Sequence, residues 1–261
     1  MTGELSEGSR LALREADPTI HSSQHPLYTP NLAPDQRPEQ MKVISDFDGT
    51  IVNIDTAEYL LERFAKGDWR KYDDLFERRK ISFEECLRRQ YGMIKEPKQK
   101  LLDAVDGVAS FREGFGDLVA FCNRKGITLT ILSAGLDFII WPLLRRQRLE
   151  DQVALQAPKS TPTSDGILLD FSGLAHAGSS NFKGSVVQAI KAKGARLAYI
   201  GDGFSDFEPI RIADYRFVIK GSRLDKQCRK DHVKCHEIVS FREVVRSLSS
   251  LKILETRDAS G

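Results

Sequence analysis

Short apolar runs at 42–46, 127–133, 197–201 and 215–219 alternate with helical patterns at 114–125, 136–146, 183–193 and 206–213. Runs this short, with no polar residue at every second position, read as strands buried on both faces. Interleaved with helices, they require a parallel sheet covered on each side. The expected fold is therefore α/β, a Rossmann-like three-layer core around a parallel sheet. In such a sheet ligands gather at the carboxyl ends of the strands. Three of the four runs end there in polar residues: Asp46, Ser133 and Asp202.

A long segment, 55–111, separates the first run from the second and carries helical patterns of its own. Ser82 with Glu85 three residues later suggests a capping box for one of them. The segment is too long for a simple crossover, so a helical cap (55–111) is expected on a core made of 41–54 and 112–252. Residues 1–40 are rich in Ser, Pro, Glu and Thr without periodicity, which reads as a disordered tail, with 253–261 a flexible C-terminus. They have no apolar stretch typical of a secretory signal, and Met41 is a candidate alternative start. The 39 basic and 37 acidic residues leave a net charge of +2. That balance points to neither nucleic acid nor membrane as a partner. Cys86, Cys122, Cys228 and Cys235 lack metal-type spacing and read as reduced thiols of a cytoplasmic protein.

The first run continues into Asp46-Phe47-Asp48-Gly49-Thr50. On an extended chain two carboxylates one residue apart face the same way. Burying them together requires a positive partner. Gly201-Asp202-Gly203-Phe204-Ser205-Asp206 places a second acidic pair after another strand. Asp46, Asp202 and Asp206, with the main-chain carbonyl of Asp48, make an oxygen-rich set suited to Mg²⁺. The Asp48 side chain is then free to carry a proton. Ser133-Ala134-Gly135 precedes a helix and offers a hydroxyl and N–H groups to a phosphate. Lys183 opens another helix after the loop 175–182. Singly these features are common: a strand-ending Ser usually caps a helix, and a helix-opening Lys is usually solvated. Their ordered combination on a βα chain is specific.

This set resembles the haloacid dehalogenase superfamily, over nearly everything from Met41 to about Leu251. The resemblance implies Asp46 as nucleophile, Asp48 as acid and base, Thr50, Ser133, Ala134, Gly135 and Lys183 around the phosphoryl group, and Mg²⁺ on Asp46, Asp48, Asp202 and Asp206. It implies a phosphoric monoester hydrolase acting on a small phosphorylated metabolite through an aspartyl-phosphate. The insert is similar to the cap of the phosphoserine phosphatase-like branch. Within it, Phe111-Arg112-Glu113-Gly114-Phe115 and the segment 131–144 look most like phosphatases of 2-hydroxy-3-keto-5-methylthiopentenyl-1-phosphate. The Gly/Ser-rich loop before Lys183 departs from their cysteine-rich one.

Substrate residues in the cap follow from the same likeness. Asp55 matches the carboxylate that receives the amino group of phosphoserine. The arginine that grips its carboxylate is replaced by Gln90, with Arg89 adjacent. A neutral amide cannot replace a guanidinium–carboxylate pair, so an uncharged leaving group is expected. Phosphoserine hydrolysis and a non-catalytic binding protein are the alternatives, and the oligomeric state is not readable.

Overall fold

The computed structural model describes residues 41–174 and 181–251. The expectations for the tail 1–40, the C-terminus 253–261 and most of the loop 175–182 lie outside the described residues. Among these, β1 (Met41–Ser45) is followed by α1 (Thr56–Phe64), α2 (Arg70–Glu77), α3 (Phe83–Tyr91) and α4 (Lys98–Asp106). Then come α5 (Phe115–Arg124), β2 (Thr128–Leu132), α6 (Asp137–Arg146) and β3 (Ala154–Gln156). A hairpin of β4 (Lys159–Thr163) and β5 (Gly166–Asp170) precedes α7 (Phe182–Lys191) and β6 (Arg196–Gly201). A 3₁₀ turn at Phe204–Asp206 leads to α8 (Phe207–Ile212), β7 (Tyr215–Ile219), α9 (Arg223–Lys230), β8 (His236–Ile238) and α10 (Phe241–Ser249).

The six strands of the main sheet run in the order β3-β2-β1-β6-β7-β8, each pair parallel. Val43, Ile44, Leu129, Ile131, Leu197, Ala198 and Ile200 are all buried, consistent with helices on both faces. From β1 the chain steps outward to β2 and β3, then returns to the other side of β1 with β6. The reversal therefore falls between β1 and β6, where Ser45 pairs with Ile200. This is the crevice in which such sheets hold their ligands.

The two edge strands, β3 and β8, have three residues each. Elements that short carry no readable period, and the sequence did not announce them. The β4–β5 hairpin was also unanticipated, although its Asp165-Gly166 pair is a turn signal. Gly166 has φ +134°, and a side chain there would collide with the main-chain carbonyl of Gly92 at the end of α3. The hairpin thus buttresses the insert.

The insert leaves the sheet and returns through one paired neck. Val52 bridges Phe111, Asn53 N–H donates to Ser110 O at 2.9 Å, and Arg112 N–H donates to Ile51 O at 2.7 Å. Asp55 and Ser82 cap α1 and α3 by accepting from the N–H groups of Glu58 and Glu85. The reciprocal half of the Ser82 box is not made, because Glu85 pairs with Arg89 instead. Phe76 and Phe83 of the insert meet Phe204 and Phe182 of the core at ring separations of 6.0 and 6.2 Å. No helix among the described residues is long and apolar enough to cross a membrane.

Candidate active site

The turn after β1 is tightly wound. The N–H groups of Ile51 and Val52 both donate to Phe47 O, at 2.8 and 3.0 Å. Gly49 sits at φ +70°, where an L-residue is strained, and a side chain there would run into Asp202. Arg112 clamps the turn from the far end of the neck, donating to Gly49 O at 2.7 Å and Thr50 O at 2.8 Å. The Asp48 side chain is thereby aimed at the start of α1, where Oδ1 accepts from Thr56 N–H at 3.0 Å and Thr56 Oγ1 at 2.5 Å. Burial, reinforced by the charge of Asp55, pushes its carboxyl up to about 7 against those bonds.

Lys183 is fully buried at the start of α7. Its Nζ donates to Asp46 Oδ1 at 2.7 Å and Asp206 Oδ1 at 2.8 Å. Burial disfavours the ammonium, but Asp206 and Asp46 outweigh it and hold the lysine charged. Tyr199 donates its hydroxyl to Asp206 Oδ1 at 2.7 Å, while Asp206 Oδ2 accepts from the N–H groups of Asp202 and Gly203. Both oxygens of Asp206 are thus occupied by the protein. Asp46 and Asp202, at the ends of neighbouring strands, face the open cleft.

Asp46, Asp202 and Asp206 each bring one carboxylate oxygen within 4.8 Å of the others. One ammonium cannot neutralise three carboxylates. Burial and then the charge of Asp206 raise the Asp46 carboxyl well above its ordinary range, with Lys183 opposing. Burial and Asp206 likewise push Asp202 up to about 7. An all-oxygen, charge-deficient set of this kind fits a hard divalent cation such as Mg²⁺.

Several expected contacts are placed differently. Thr50 is buried behind the turn and donates to Asp202 Oδ1 at 2.8 Å, so it orients a carboxylate and does not line the cleft. Ser133 is also buried, its Oγ accepting from Gly135 N–H at 2.9 Å, while Ala134 and Gly135 do line the cleft. A side chain on Gly135 would strike Asp48 Oδ2, so the close approach of these two turns requires glycine. Arg89 lies outside the cleft, paired with Glu85 at 2.6 Å. Neighbouring helical residues diverge, and the inward place belongs to Gln90. Gln90 donates to Asp73 Oδ1 at 2.8 Å and Trp69 O at 3.4 Å. Asp55 is both the α1 cap and a cleft residue.

The cleft measures about 610 Å³ between sheet and insert. Lys220, Arg223 and Lys226 line its rim, and Arg223 reaches Glu58 of α1 at 3.6 Å. Sequence reasoning missed this basic rim, as well as Thr56, Arg112 and Tyr199. The segment containing Arg112 was noticed, but only contact geometry gives the residue its task.

Residues 43–210 match the family model for haloacid dehalogenase-like hydrolases. The chain belongs to that family. This hydrolase is 27% identical over 221 residues to a 2-hydroxy-3-keto-5-methylthiopentenyl-1-phosphate phosphatase of Geobacillus thermodenitrificans, covering 83% of this chain and 99% of the relative. A phosphatase of the same description from Lysinibacillus sphaericus is 26% identical over 226 residues, covering 83% and 96%. Among solved structures, a substrate-bound phosphoserine phosphatase complex has a similar fold, with TM-score 0.60 at 19% identity, covering 81% of this chain and 99% of that one. Cytosolic 5'-nucleotidase IIIB bound to cytidine shares it at TM-score 0.54 and 15% identity, covering 85% and 87%.

Proposed function

We propose that this hydrolase is a phosphomonoesterase that works through an aspartyl-phosphate on Asp46. The observation that carries the reading is the buried Asp46–Lys183–Asp206 chain beside Asp202, with a second carboxyl, Asp48, two residues away on the same turn. Asp46 attacks phosphorus, the ester P–O bond breaks, and Asp48 gives its proton to the departing alkoxide. Asp48 then takes a proton from water as the water oxygen attacks phosphorus. The Asp46–phosphorus bond breaks, restoring the carboxylate and releasing inorganic phosphate. Lys183 offsets charge on the phosphoryl oxygens, the Ser133–Gly135 turn seats them, and Thr56 holds Asp48 in line. Mg²⁺ on Asp46, Asp202 and the Asp48 carbonyl would supply the further positive charge, with Asp206 positioning Lys183 behind them.

Residues 55–111 act in this reading as a cap over the core formed by 41–54 and 112–252, which favours small metabolites over proteins. The names of the curated relatives support a keto- or enol-type phosphate. Gln90, held by Asp73, puts a neutral amide where the guanidinium partner of a phosphoserine carboxylate would stand, so phosphoserine is a poor substrate. The four free thiols agree with a reducing cytoplasm.

The test is phosphate release from p-nitrophenyl phosphate by the purified protein, with and without Mg²⁺. Mg²⁺-dependent turnover that vanishes in Asp46→Asn is expected. A folded protein that releases no phosphate from this ester or a panel of phosphorylated metabolites would be a binding scaffold.

A further inference from the structure

Tyr91 is a buried residue, 1% exposed, at the last position of α3. It shares a face of that helix with Leu87, four residues earlier, and both line the cleft, as does Gln90. Its hydroxyl oxygen has no hydrogen-bond partner, and it is the buried side-chain polar atom in that condition among the described residues. Leaving a buried donor without a hydrogen bond is unfavourable. Elsewhere in the site buried polar side chains have partners: Tyr199 bonds Asp206, Gln90 bonds Asp73, and Thr56 bonds Asp48. An unmade bond in so well-partnered a site marks a group whose partner arrives with the ligand.

The surroundings say where that partner sits. Burial keeps the phenol protonated well beyond neutral pH, and the charges acting on it are those of Asp48, Asp55 and Asp46, in that order. Tyr91 and the carboxyl that would protonate the leaving oxygen, Asp48, line one and the same cleft. Leu61, Trp69 and Leu87 give the same cleft apolar lining.

Resting on the phosphomonoesterase reading, the geometry points to Tyr91 as a specificity residue that donates its hydroxyl to a hydroxyl or carbonyl oxygen one carbon away from the phosphoester carbon of the substrate. The substrate class is a short, uncharged phosphomonoester oxygenated at its second carbon and apolar beyond it. Neither Asp48 nor Asp46 needs Tyr91 for the chemistry at phosphorus, so the residue governs choice among leaving groups.

The experiment compares kcat/KM for hydroxyacetone phosphate and n-propyl phosphate, which differ in the oxygen at the second carbon, in the wild type and Tyr91→Phe. The intrinsic difference between the two leaving groups is the same for both proteins and cancels when the ratios are compared. The preference for hydroxyacetone phosphate is expected to shrink about tenfold in Tyr91→Phe, the scale of one hydrogen bond. Turnover of p-nitrophenyl phosphate should stay within about twofold, and Tm should be unchanged or higher. An unchanged ratio with p-nitrophenyl phosphate still turned over overturns this inference alone. A fall in Tm of several degrees overturns it too, since the hydroxyl would then have a structural partner. Absence of turnover of every ester by the wild type overturns the phosphatase reading, and this inference with it.

Discussion

At the scale of single residues, Lys183 makes the site possible and also makes it fragile. Its ammonium lies between two buried carboxylates, and removing it leaves both uncompensated. Lys183→Ala is expected to lower kcat by roughly 10²–10³, the scale for one preorganised charge-stabilising group. It should also lower Tm clearly, because breaking a buried pair costs about 3–5 kcal/mol. Steady-state kinetics and calorimetry on the same preparation check both effects, and a change confined to KM would limit Lys183 to ground-state binding. Asp48→Asn removes the acid, and a loss of about 10²–10⁴ in kcat on an alkyl phosphate is expected. The excess carboxylate charge gives a third outcome. Exhaustive treatment with EDTA should silence the enzyme, and added Mg²⁺ should restore activity and raise Tm. Activity that survives chelation would mean that Asp46 and Asp202 hold no essential cation.

At the scale of elements, two turns and one neck do the positioning. The turn after β1 is fixed by convergent N–H groups on Phe47 O and by the fork of Arg112. A lysine cannot span two carbonyls as a guanidinium does. Arg112→Lys should therefore lose one of two hydrogen bonds, about 1 kcal/mol, or about 2–4 °C in Tm for a chain of this size. Activity should fall with it because the turn that carries Asp48 is clamped less firmly, which thermal melts and turnover measured together would show. The buried strands and the helices that follow them were legible because burial on both faces leaves an unbroken apolar run. The three-residue edge strands were not, since an edge takes its place from a neighbour's open backbone and not from its own pattern. Ser133 illustrates the limit within the site: its position at a strand end was readable, its bond to Gly135 was not.

At the scale of the whole molecule, the sheet, the insert and the candidate site all lie within one compact unit of the described residues. Residues 1–40 offer no periodic apolar face in their sequence. A shortened chain beginning at Met41 is expected to match the full chain in kcat and in Tm. A loss of many degrees on shortening would show that the first forty residues pack against the fold. The fold class and the place of the acidic motifs at strand ends were determined by sequence alone, which also singled out Asp46, Asp48, Lys183, Asp202 and Asp206 as candidates. The reason is local: strand period, turn chemistry and carboxylate spacing are each written within a few residues. The tertiary structure alone decided that Thr50 serves Asp202, that Arg89 turns away while Gln90 turns in, that Asp206 has both oxygens occupied, and that Tyr91 keeps an unpaired hydroxyl. Those facts depend on which distant segments meet, Thr50 with Asp202 and Gln90 with Asp73, and such contacts are fixed by packing and not by neighbours in the chain.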